Sequence, residues 1–511
     1  MPHSHETLAD LLANLDLGSS VAEQDQLLEV ARIETSAARD LYNDRVDLIP
    51  GTKGSGKSAL FRIFVHFLPR ALLEQRRVVV AHGVDDPGDP IFNAFRDEFE
   101  RLDENAFVAF WCIYLISLAQ EQFIKGPIYA EYLADATGEV EAFRSACASA
   151  KIPEIKAKKS LRDILAWTLN VLRTWRPTLT FKLPQDHGEI ELDLGLPKPA
   201  DTSGGSPGER EDELPRFLMD VRSTLEAVLK HVKLSLWLMV DRLDEIFPRR
   251  SRMERVALRG LLRAMRILSC NQIRVKVFLR DDMLEHVVRG ENGFVALTHV
   301  TARAADTLRW TEEQVMSLVV KRIFANQALC DYCDVNKVRL DASAEYRRES
   351  FYKVFPPRVN RGAKQSPTLT WIYTRCADGR GVVTPRDVLD LLIRARQWQE
   401  DACRGNLAGT SDWMIGPQAL QYGLAELSKR KRLTYLEAEF PHLWPEIAKM
   451  IGGKAEYSEA ALGKTFGAGW RRILDDLVSV GVLASVTRRG QPAFIIPIVY
   501  RRGLEVTQGR A

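Results

Sequence analysis

The sequence lacks a strong excess of charge of either sign, and it lacks a long apolar run. Its 71 lysines and arginines are nearly balanced by 68 acidic residues, which leaves a net charge of +3. This balance excludes a chain that binds nucleic acid or a membrane through its overall charge, so any basic surface has to be local. The longest apolar stretch, AFVAFWCIYLISLA at 106–119, is shorter than the ~20 residues of a membrane-spanning helix. We expect a buried helix there and no membrane partner.

Cysteine is scarce as well, with seven residues in 511. An odd number of scattered cysteines does not suit a disulfide framework and indicates a reducing compartment. The first ten residues, MPHSHETLAD, are polar and do not resemble a secretory leader. We therefore expect a cytoplasmic protein. Cys330 and Cys333 form a CxxC, but no second pair or nearby histidine completes a zinc site, so zinc is not expected.

What the chain does contain is a set of short apolar segments typical of buried strands. Each is bounded by charge or glycine and is separated from the next by helical patterns. They are VDLI (46–49), RRVVVAHG (76–83), KLSLWLMVD (233–241) and IRVKVFLRDD (273–282). Strands alternating with helices predict an α/β fold with a parallel sheet flanked by helices.

A large, mainly helical insertion at about 90–230 separates the second and third strands. It contains the apolar helix above and a basic amphipathic segment at 154–175. Alternating residues on both sides of a turn at 178–194 predict a hairpin. The stretch 195–212 is rich in proline, glycine and serine and predicts a mobile linker.

Beyond Trp310 the patterns are helical, and they predict two further domains. In TPRD, Thr384 can cap a helix, Pro385 suits its first turn, and Asp387 can complete a capping box. From about 458 the pattern is helix, turn, helix and then two strands around Arg488–Gly490, the outline of a winged helix. On length alone about three domains are expected. The predicted segments are an N-terminal helical segment (1–44), a core that contains the four strands and the insertion (45–325), a helical lid (326–425) and a winged-helix domain (426–511).

The strongest motif is GTKGSGKS at Gly51–Ser58, which satisfies G-x-x-x-x-G-K-[ST] in full. Its glycines allow backbone N–H groups to surround phosphate oxygens, while Lys57 reaches the β- and γ-phosphates and Ser58 binds Mg²⁺. The motif follows a strand and opens an apolar helix, as a P-loop requires. We therefore expect ATP and Mg²⁺ as cofactors. The expected nucleotide-binding residues are Gly51, Thr52, Lys53, Gly54, Ser55, Gly56, Lys57, Ser58, Ala59 and Arg386.

Acidic residues follow the third strand, where the site would need them. Asp241 ends the apolar run and is expected, with Ser58, on the Mg²⁺ side. Asp244 or Glu245 would polarise the attacking water, unless these two residues only cap the next helix.

Three arginines are candidates for contacts to the nucleotide. Arg280 ends the fourth strand, where it can sense a γ-phosphate, or else pair with Asp281 or Asp282. Arg289 could serve as an arginine finger in a neighbouring subunit, or could simply be solvated. Arg386 could contact the nucleotide or only support a helix cap.

Five basic residues fall on the predicted recognition helix and wing. They are Lys464, Arg471, Arg472, Arg488 and Arg489. Such positions contact phosphates in DNA-binding winged helices. Winged helices also dock proteins, so DNA contact and protein docking both stay open.

Together these motifs resemble a bacterial P-loop ATPase family related to the AAA+ and STAND NTPases and linked to phage-defence loci. The resemblance covers most of the chain outside about 90–230. Its segments, in order, are LGSSVAEQDQLLEVARIETS, GTKGSGKSALF, VDRLDE, VFLRDDML, LRWTEEQVMSLVVKRI, TPRDVLDLL and IPIVYRRGL. It implies that Lys57 and Ser58 are Walker A residues, that Asp241 is the Walker B acid and that Arg280 is a sensor. Arg242 stands where STAND proteins commonly have a second acid, which leaves the catalytic base open.

Three functions compete at this point. The first is a switch ATPase that forms homo-oligomers or signals to a protein effector according to nucleotide state. The second is a DNA-engaging ATPase of the origin-recognition or transposition-regulator kind, which would use the winged helix. The third is a small-molecule kinase, for which no motif identifies an acceptor site.

Overall fold

The structure, a computed structural model, forms two compact units. The sheet unit comprises Ser36–Thr52 and Lys57–Leu308, and the C-terminal unit comprises Met1–Thr35, Lys53–Gly56 and Arg309–Ala511. The described residues are 5–83, 99–100, 102–152, 169, 207–246, 251–288, 301–362, 364–405 and 413–510. The predicted hairpin at 178–194 lies outside them, as does the amphipathic segment 154–175 apart from Leu169.

A four-stranded parallel sheet forms the centre of the sheet unit. Its strands are Leu48–Gly51 (β1), Val78–His82 (β2), Ser235–Val240 (β3) and Ile273–Arg280 (β4). The strand order is β1-β4-β3-β2, and each neighbouring pair is parallel. On the side of β1 that faces away from β4, the N–H of Ala305 donates to Leu48 O and the N–H of Leu308 donates to Pro50 O, both at 2.8 Å. The four predicted strands and the α/β class are confirmed.

Both faces of this sheet are covered, which explains why its strands are apolar at nearly every position. In β3, Leu236 and Leu238 belong to one core, whereas Trp237 and Met239 belong to the core on the other face. This alternation is the period of two expected of a strand. Further helices of this unit are Ser36–Tyr42, Lys57–Arg62, Pro69–Arg76, Ala130–Leu133, Thr137–Ser149, Leu243–Ile246 and Asp281–Val288.

The apolar helix of the insertion is part of the core. It runs over Glu104–Ala119 and continues to Ile124 in a π-helical turn. It packs on helix Arg252–Leu268 at Gly260, where an added Cβ would lie 2.6 Å from Phe107. By length and composition these 21 residues could cross a membrane, but 83% of their most apolar window is buried in the protein. The predicted buried helix is confirmed, although burial and not length distinguishes it from a membrane span.

Helix Pro207–His231 begins inside the predicted linker. The linker prediction is therefore wrong for 207–212, because Pro207 suits the first turn of a helix and the charged residues after it favour helix. Further along, Val221, Leu225 and Val228 are buried in the core that contains the apolar helix. This core thus joins two parts of the insertion to the sheet.

The core of the C-terminal unit is built from helices. Helix Glu312–Ile323 begins with a capping box of Thr311 and Gln314. Helix Pro385–Arg404 is capped by the hydroxyl of Thr384, as predicted, but the carboxylate of Asp387 accepts from Lys431 Nζ at 2.7 Å and serves an ion pair. Further helices are Gln327–Tyr332, Lys337–Ala342, Ala344–Val354, Thr368–Cys376, Pro417–Lys431, Trp444–Ala448 and Ile498–Arg501.

Helix His5–Ala13, in the predicted N-terminal helical segment, belongs to the C-terminal unit. The side chain of Leu12 is fully buried in the core of this unit. Arg396 NH1 donates to Leu12 O at 2.6 Å. An amphipathic helix this short gains its stability from such packing.

A second, smaller sheet lies near the end of the chain. Its strands are Lys454–Tyr457 (β5), Ala484–Arg488 (β6), Gln491–Ile495 (β7) and Thr507–Arg510 (β8), in the order β6-β7-β5-β8. Helices Glu459–Phe466 and Trp470–Ser479 connect β5 to β6. The antiparallel pair β6–β7 turns at Arg489 and Gly490, whose φ values of 50° and 76° suit a tight hairpin turn.

Candidate functional site

The predicted P-loop, Gly51–Ser58, begins at the end of β1, at the edge of the sheet where β3 and β4 also end. Gly51 lies opposite Arg280 in the register of β1 and β4. Gly54 and Gly56 have φ values of 81° and 97°, which other residues rarely adopt. The backbone of the loop therefore requires glycine at positions 54 and 56.

Lys57 lies across the start of this loop. Its ammonium donates to the carbonyl oxygens of Gly51 at 2.8 Å and Thr52 at 2.9 Å. Burial lowers the pKa of Lys57, and the nearby carboxylates of Asp244 and Asp241 oppose that effect. The lysine is thus held by neutral carbonyl groups next to two acids.

Asp241 and Ser58 are hydrogen-bonded to each other at this edge of the sheet. The carboxylate of Asp241 also accepts the N–H of Arg242. Burial raises the pKa of Asp241 from 3.8 to about 6, while these hydrogen bonds and Lys57 counteract the rise. Asp241 is only 2% exposed, and its Oδ2 accepts no hydrogen bond from the part of the chain that is described.

This donor set fits Mg²⁺ and a phosphate chain. Carboxylate and hydroxyl oxygens are the ligands that Mg²⁺ prefers, and a buried carboxylate oxygen without a partner is costly unless a ligand satisfies it. Among the described residues, the hydroxyl groups of Thr52 and Ser55 are also buried without a hydrogen-bond partner. The loop therefore offers polar groups that its own fold does not use.

Arg280 is held between two acids at the end of β4. Its guanidinium donates to both carboxylate oxygens of Asp282 and, at 3.3 Å, to Asp244. Arg280 thus forms an ion pair with Asp282, the role that the sequence left open beside γ-phosphate sensing. The side chain of Glu245, the other candidate base, lies outside the described residues, and so does Arg289.

The tip of the predicted P-loop, Lys53–Gly56, belongs to the C-terminal unit and has partners there. Trp310 Nε1 donates to Ser55 O at 2.8 Å, and Lys53 forms an ion pair with Glu439. Sequence patterns do not predict these two contacts, because Trp310 and Glu439 lie 255 and 386 residues from the positions that they contact.

Gly54 lies close to the start of helix Pro385–Arg404. A Cβ added to Gly54 would lie 3.1 Å from Arg386 Cβ and 3.3 Å from Thr384 Oγ1. The structure therefore brings Arg386 to the loop tip. The guanidinium of Arg386 itself donates to Ser20 O at 3.2 Å.

The five predicted phosphate-contacting residues are all exposed. They are Lys464, Arg471, Arg472, Arg488 and Arg489. On helix Trp470–Ser479, however, Asp475 and Asp476 follow Arg471 and Arg472 by four residues each. Residues four apart share a helix face. The helix surface is therefore balanced in charge.

The described residues contain no cluster of three or more histidine, cysteine or acidic side chains that could hold a metal. The expected Mg²⁺ ligands would not appear as such a cluster, because they are one carboxylate (Asp241) and one hydroxyl (Ser58). Cys330 is buried, Cys333 is half-buried, and neither forms a disulfide.

Comparison of the chain with protein-family models and with curated protein sequences finds no match. The functional inference therefore rests on the geometry of the site and on the motifs that form it.

Proposed function

We propose that this chain is an ATP-binding and ATP-hydrolysing P-loop protein that acts as a nucleotide-dependent switch. The observation that carries the proposal is the position of Lys57, whose ammonium holds the carbonyl groups of Gly51 and Thr52 beside the Ser58–Asp241 pair. A lysine, a hydroxyl and a buried acid at one edge of a parallel sheet are the groups that a Mg²⁺-nucleotide needs.

Each of these residues has a role in the proposed site. Lys57 would leave its carbonyl partners for the β- and γ-phosphates, because a charged acceptor binds an ammonium more strongly than a neutral one. Ser58 and Asp241 would hold Mg²⁺, which neutralises charge on the phosphates when bound. The P-loop motif accounts for recognition of the phosphates and not of the base.

Hydrolysis requires a residue that orients the attacking water. Asp244 is engaged by Arg280, which favours its role as a fixed negative charge. We therefore propose Glu245 as the base, on the same short helix. An arginine that contacts a phosphate also senses its presence, which suits Arg280.

The C-terminal unit would carry the output of the switch. The helices within 326–425 support the proposed lid, and the β6–β7 pair with its preceding helices supports the proposed winged helix. By the resemblance given above, we propose homo-oligomers or a protein effector as partners and a role in phage defence. The scattered cysteines support a cytoplasmic location.

DNA engagement is the second candidate function, because Arg488 and Arg489 are exposed at the β6–β7 turn. The aspartates on the adjacent helix and the low net charge argue against it. We expect no DNA shift in gel electrophoresis, either for the wild type or after reversal of Arg471, Arg472, Arg488 and Arg489 to glutamate. Salt-sensitive shifts that the reversal removes would favour the DNA function instead.

The test of the proposed function is calorimetry of ATP·Mg²⁺ binding. Lys57→Ala should abolish binding and leave thermal unfolding nearly unchanged. Lys230→Ala is the matched control, since Lys230 pairs with Glu226 on an outer helix and should bind as the wild type does. Equal affinity of Lys57→Ala and the wild type would overturn the assignment.

A further inference from the structure

Arg242, the residue directly after Asp241, has a left-handed backbone, with a φ of 62°. Residues other than glycine rarely adopt this conformation, because it brings Cβ too close to the following carbonyl oxygen. Within the described part of the chain, eight non-glycine residues have a positive φ, and Arg242, at 5% exposed, is the one that is buried. The other seven are exposed or half-exposed. A buried residue in this conformation beside a candidate site points to a local function of the backbone.

The chain on both sides of Arg242 is held in place by packing. On one side, β3 ends at Val240, which lies opposite Val277 in the register of the sheet. On the other side, a short helix begins at Leu243, whose side chain is 1% exposed in the core of the sheet unit. The chain therefore has to turn from the strand into the helix within two residues, and the positive φ of Arg242 is part of that turn.

The peptide group between Asp241 and Arg242 contacts the candidate metal ligand. Its N–H donates to the Asp241 carboxylate, which is also hydrogen-bonded to Ser58. Because Oδ2 accepts no hydrogen bond from the described residues, these bonds fall on Oδ1 and leave Oδ2 for a ligand. The peptide group is rigid, so its orientation is set by ψ of Asp241 and φ of Arg242 together. With both sides held, a change of φ at Arg242 requires an opposite change of ψ at Asp241, which turns the N–H away from the carboxylate.

We propose that Arg242 is a positioning residue for Mg²⁺, because its left-handed backbone keeps the peptide N–H on one oxygen of Asp241 and leaves the other oxygen for the metal. The inference rests on the proposed function of the P-loop and adds to it a role for the Arg242 backbone. Mg²⁺ demands nearly ideal octahedral geometry, so a carboxylate that is held in one orientation binds it better than one that rotates. Asp241, Arg242 and Ser58 all lie in the sheet unit.

Two substitutions of Arg242 separate its backbone from its side chain. Glycine adopts a positive φ without strain, whereas the β-branched valine does so very rarely. Calorimetry of a non-hydrolysable ATP analogue, with and without Mg²⁺, gives the factor by which Mg²⁺ strengthens binding. We expect Arg242→Val to lower this factor about tenfold, the effect of losing a hydrogen bond to a charged group, and Arg242→Gly to retain it. Binding without Mg²⁺ should be the same in both variants, because Lys57 is unchanged.

Lys233→Val is the matched control for backbone strain. Lys233 also has a positive φ, of 54°, but it is exposed and precedes β3 at the opposite end of the strand. We expect this variant to unfold at a lower urea concentration than the wild type and to retain the Mg²⁺ factor. If Arg242→Val does not fold, Arg242→Ala replaces it, because Cβ alone disfavours a positive φ. A smaller loss of the factor is then expected, and an unchanged factor would refute the inference.

The outcomes distinguish this inference from the proposed function. If Asp241→Asn loses the Mg²⁺ factor and Arg242→Val retains it, the positioning role is refuted and the metal site stands. An equal loss in Arg242→Gly and Arg242→Val would assign the effect to the side chain, and an equal loss in Lys233→Val would assign it to general destabilisation. Either result refutes the inference. If the wild type does not bind the analogue, or binds it no better with Mg²⁺, the proposed function fails and the inference with it.

Discussion

Arg280 donates two parallel hydrogen bonds to Asp282, from Nε to Oδ1 at 2.9 Å and from NH2 to Oδ2 at 2.8 Å. This bidentate arrangement fixes the plane of the guanidinium. The remaining nitrogen, NH1, faces Asp244. Asp282 therefore positions Arg280 at the strand end that lies opposite Gly51 in the sheet register.

This position predicts that Arg280 distinguishes ATP from ADP. Arg280→Ala should weaken ATP binding by about 10- to 100-fold, the equivalent of a charged hydrogen bond of about 1.5–3 kcal/mol. ADP affinity should change little, because only ATP carries the γ-phosphate. Calorimetry with both nucleotides measures the difference. Arg274→Ala, in the same strand but paired with Asp44 at 3.6 Å, is the control, and an equal loss for ATP and ADP would speak against sensing.

Asp241 provides a prediction about stability and pH. Its pKa is raised from 3.8 to about 6 by burial, so the folded protein holds this proton more tightly than the unfolded chain does. Between these two pH values the contribution of Asp241 to stability therefore falls as pH rises. Above about pH 6 the ionised carboxylate costs the protein without metal about 3 kcal/mol.

Asp241→Asn should accordingly stabilise the metal-free protein by up to about 3 kcal/mol at pH 8 and by little at pH 4. Urea unfolding across this range measures the effect, with Asp475→Asn as an exposed control. The same variant should lose the enhancement of ATP binding by Mg²⁺. If the variant unfolds more easily than the wild type at pH 8, burial of the ionised Asp241 carboxylate does not lower the free energy of unfolding.

How much of this could be predicted from sequence depends on the range of the interactions. The strands and the glycine-rich loop after β1 were predictable because apolar patterning and glycine spacing are visible in consecutive residues. The ion pair of Lys53 and Glu439 joins positions 386 residues apart, and the bond from Trp310 to Ser55 spans 255. A single glutamate or tryptophan has no local signature of such a partner.

The choice of catalytic base is open to a direct test. Glu245→Gln should bind ATP normally and hydrolyse it about 10²–10⁴ times more slowly, the usual contribution of a general base. Asp244→Asn should affect hydrolysis less, because its main described partner is Arg280. Steady-state phosphate release measures both variants. Slow hydrolysis in Asp244→Asn with normal rates in Glu245→Gln would reverse the assignment.

The prediction on which the switch depends is that nucleotide state controls assembly. ATP can shift an equilibrium between two states only as far as its affinities for them differ, about 1–3 kcal/mol in typical coupled systems. A change of this size is enough to expose or hide a subunit surface.

Light scattering of the purified protein without nucleotide, with ADP and with a non-hydrolysable ATP analogue tests this prediction. We expect a larger mass with the analogue than with ADP, because only the analogue supplies the γ-phosphate that Arg280 would sense. Arg280→Ala should remove that difference, and Arg289→Ala should lower hydrolysis in the assembled state if Arg289 completes a neighbouring site. One mass in all three conditions, with ATPase activity independent of protein concentration, would refute the switch. Assembly that survives Arg280→Ala would refute the sensor role of Arg280 while the switch stands.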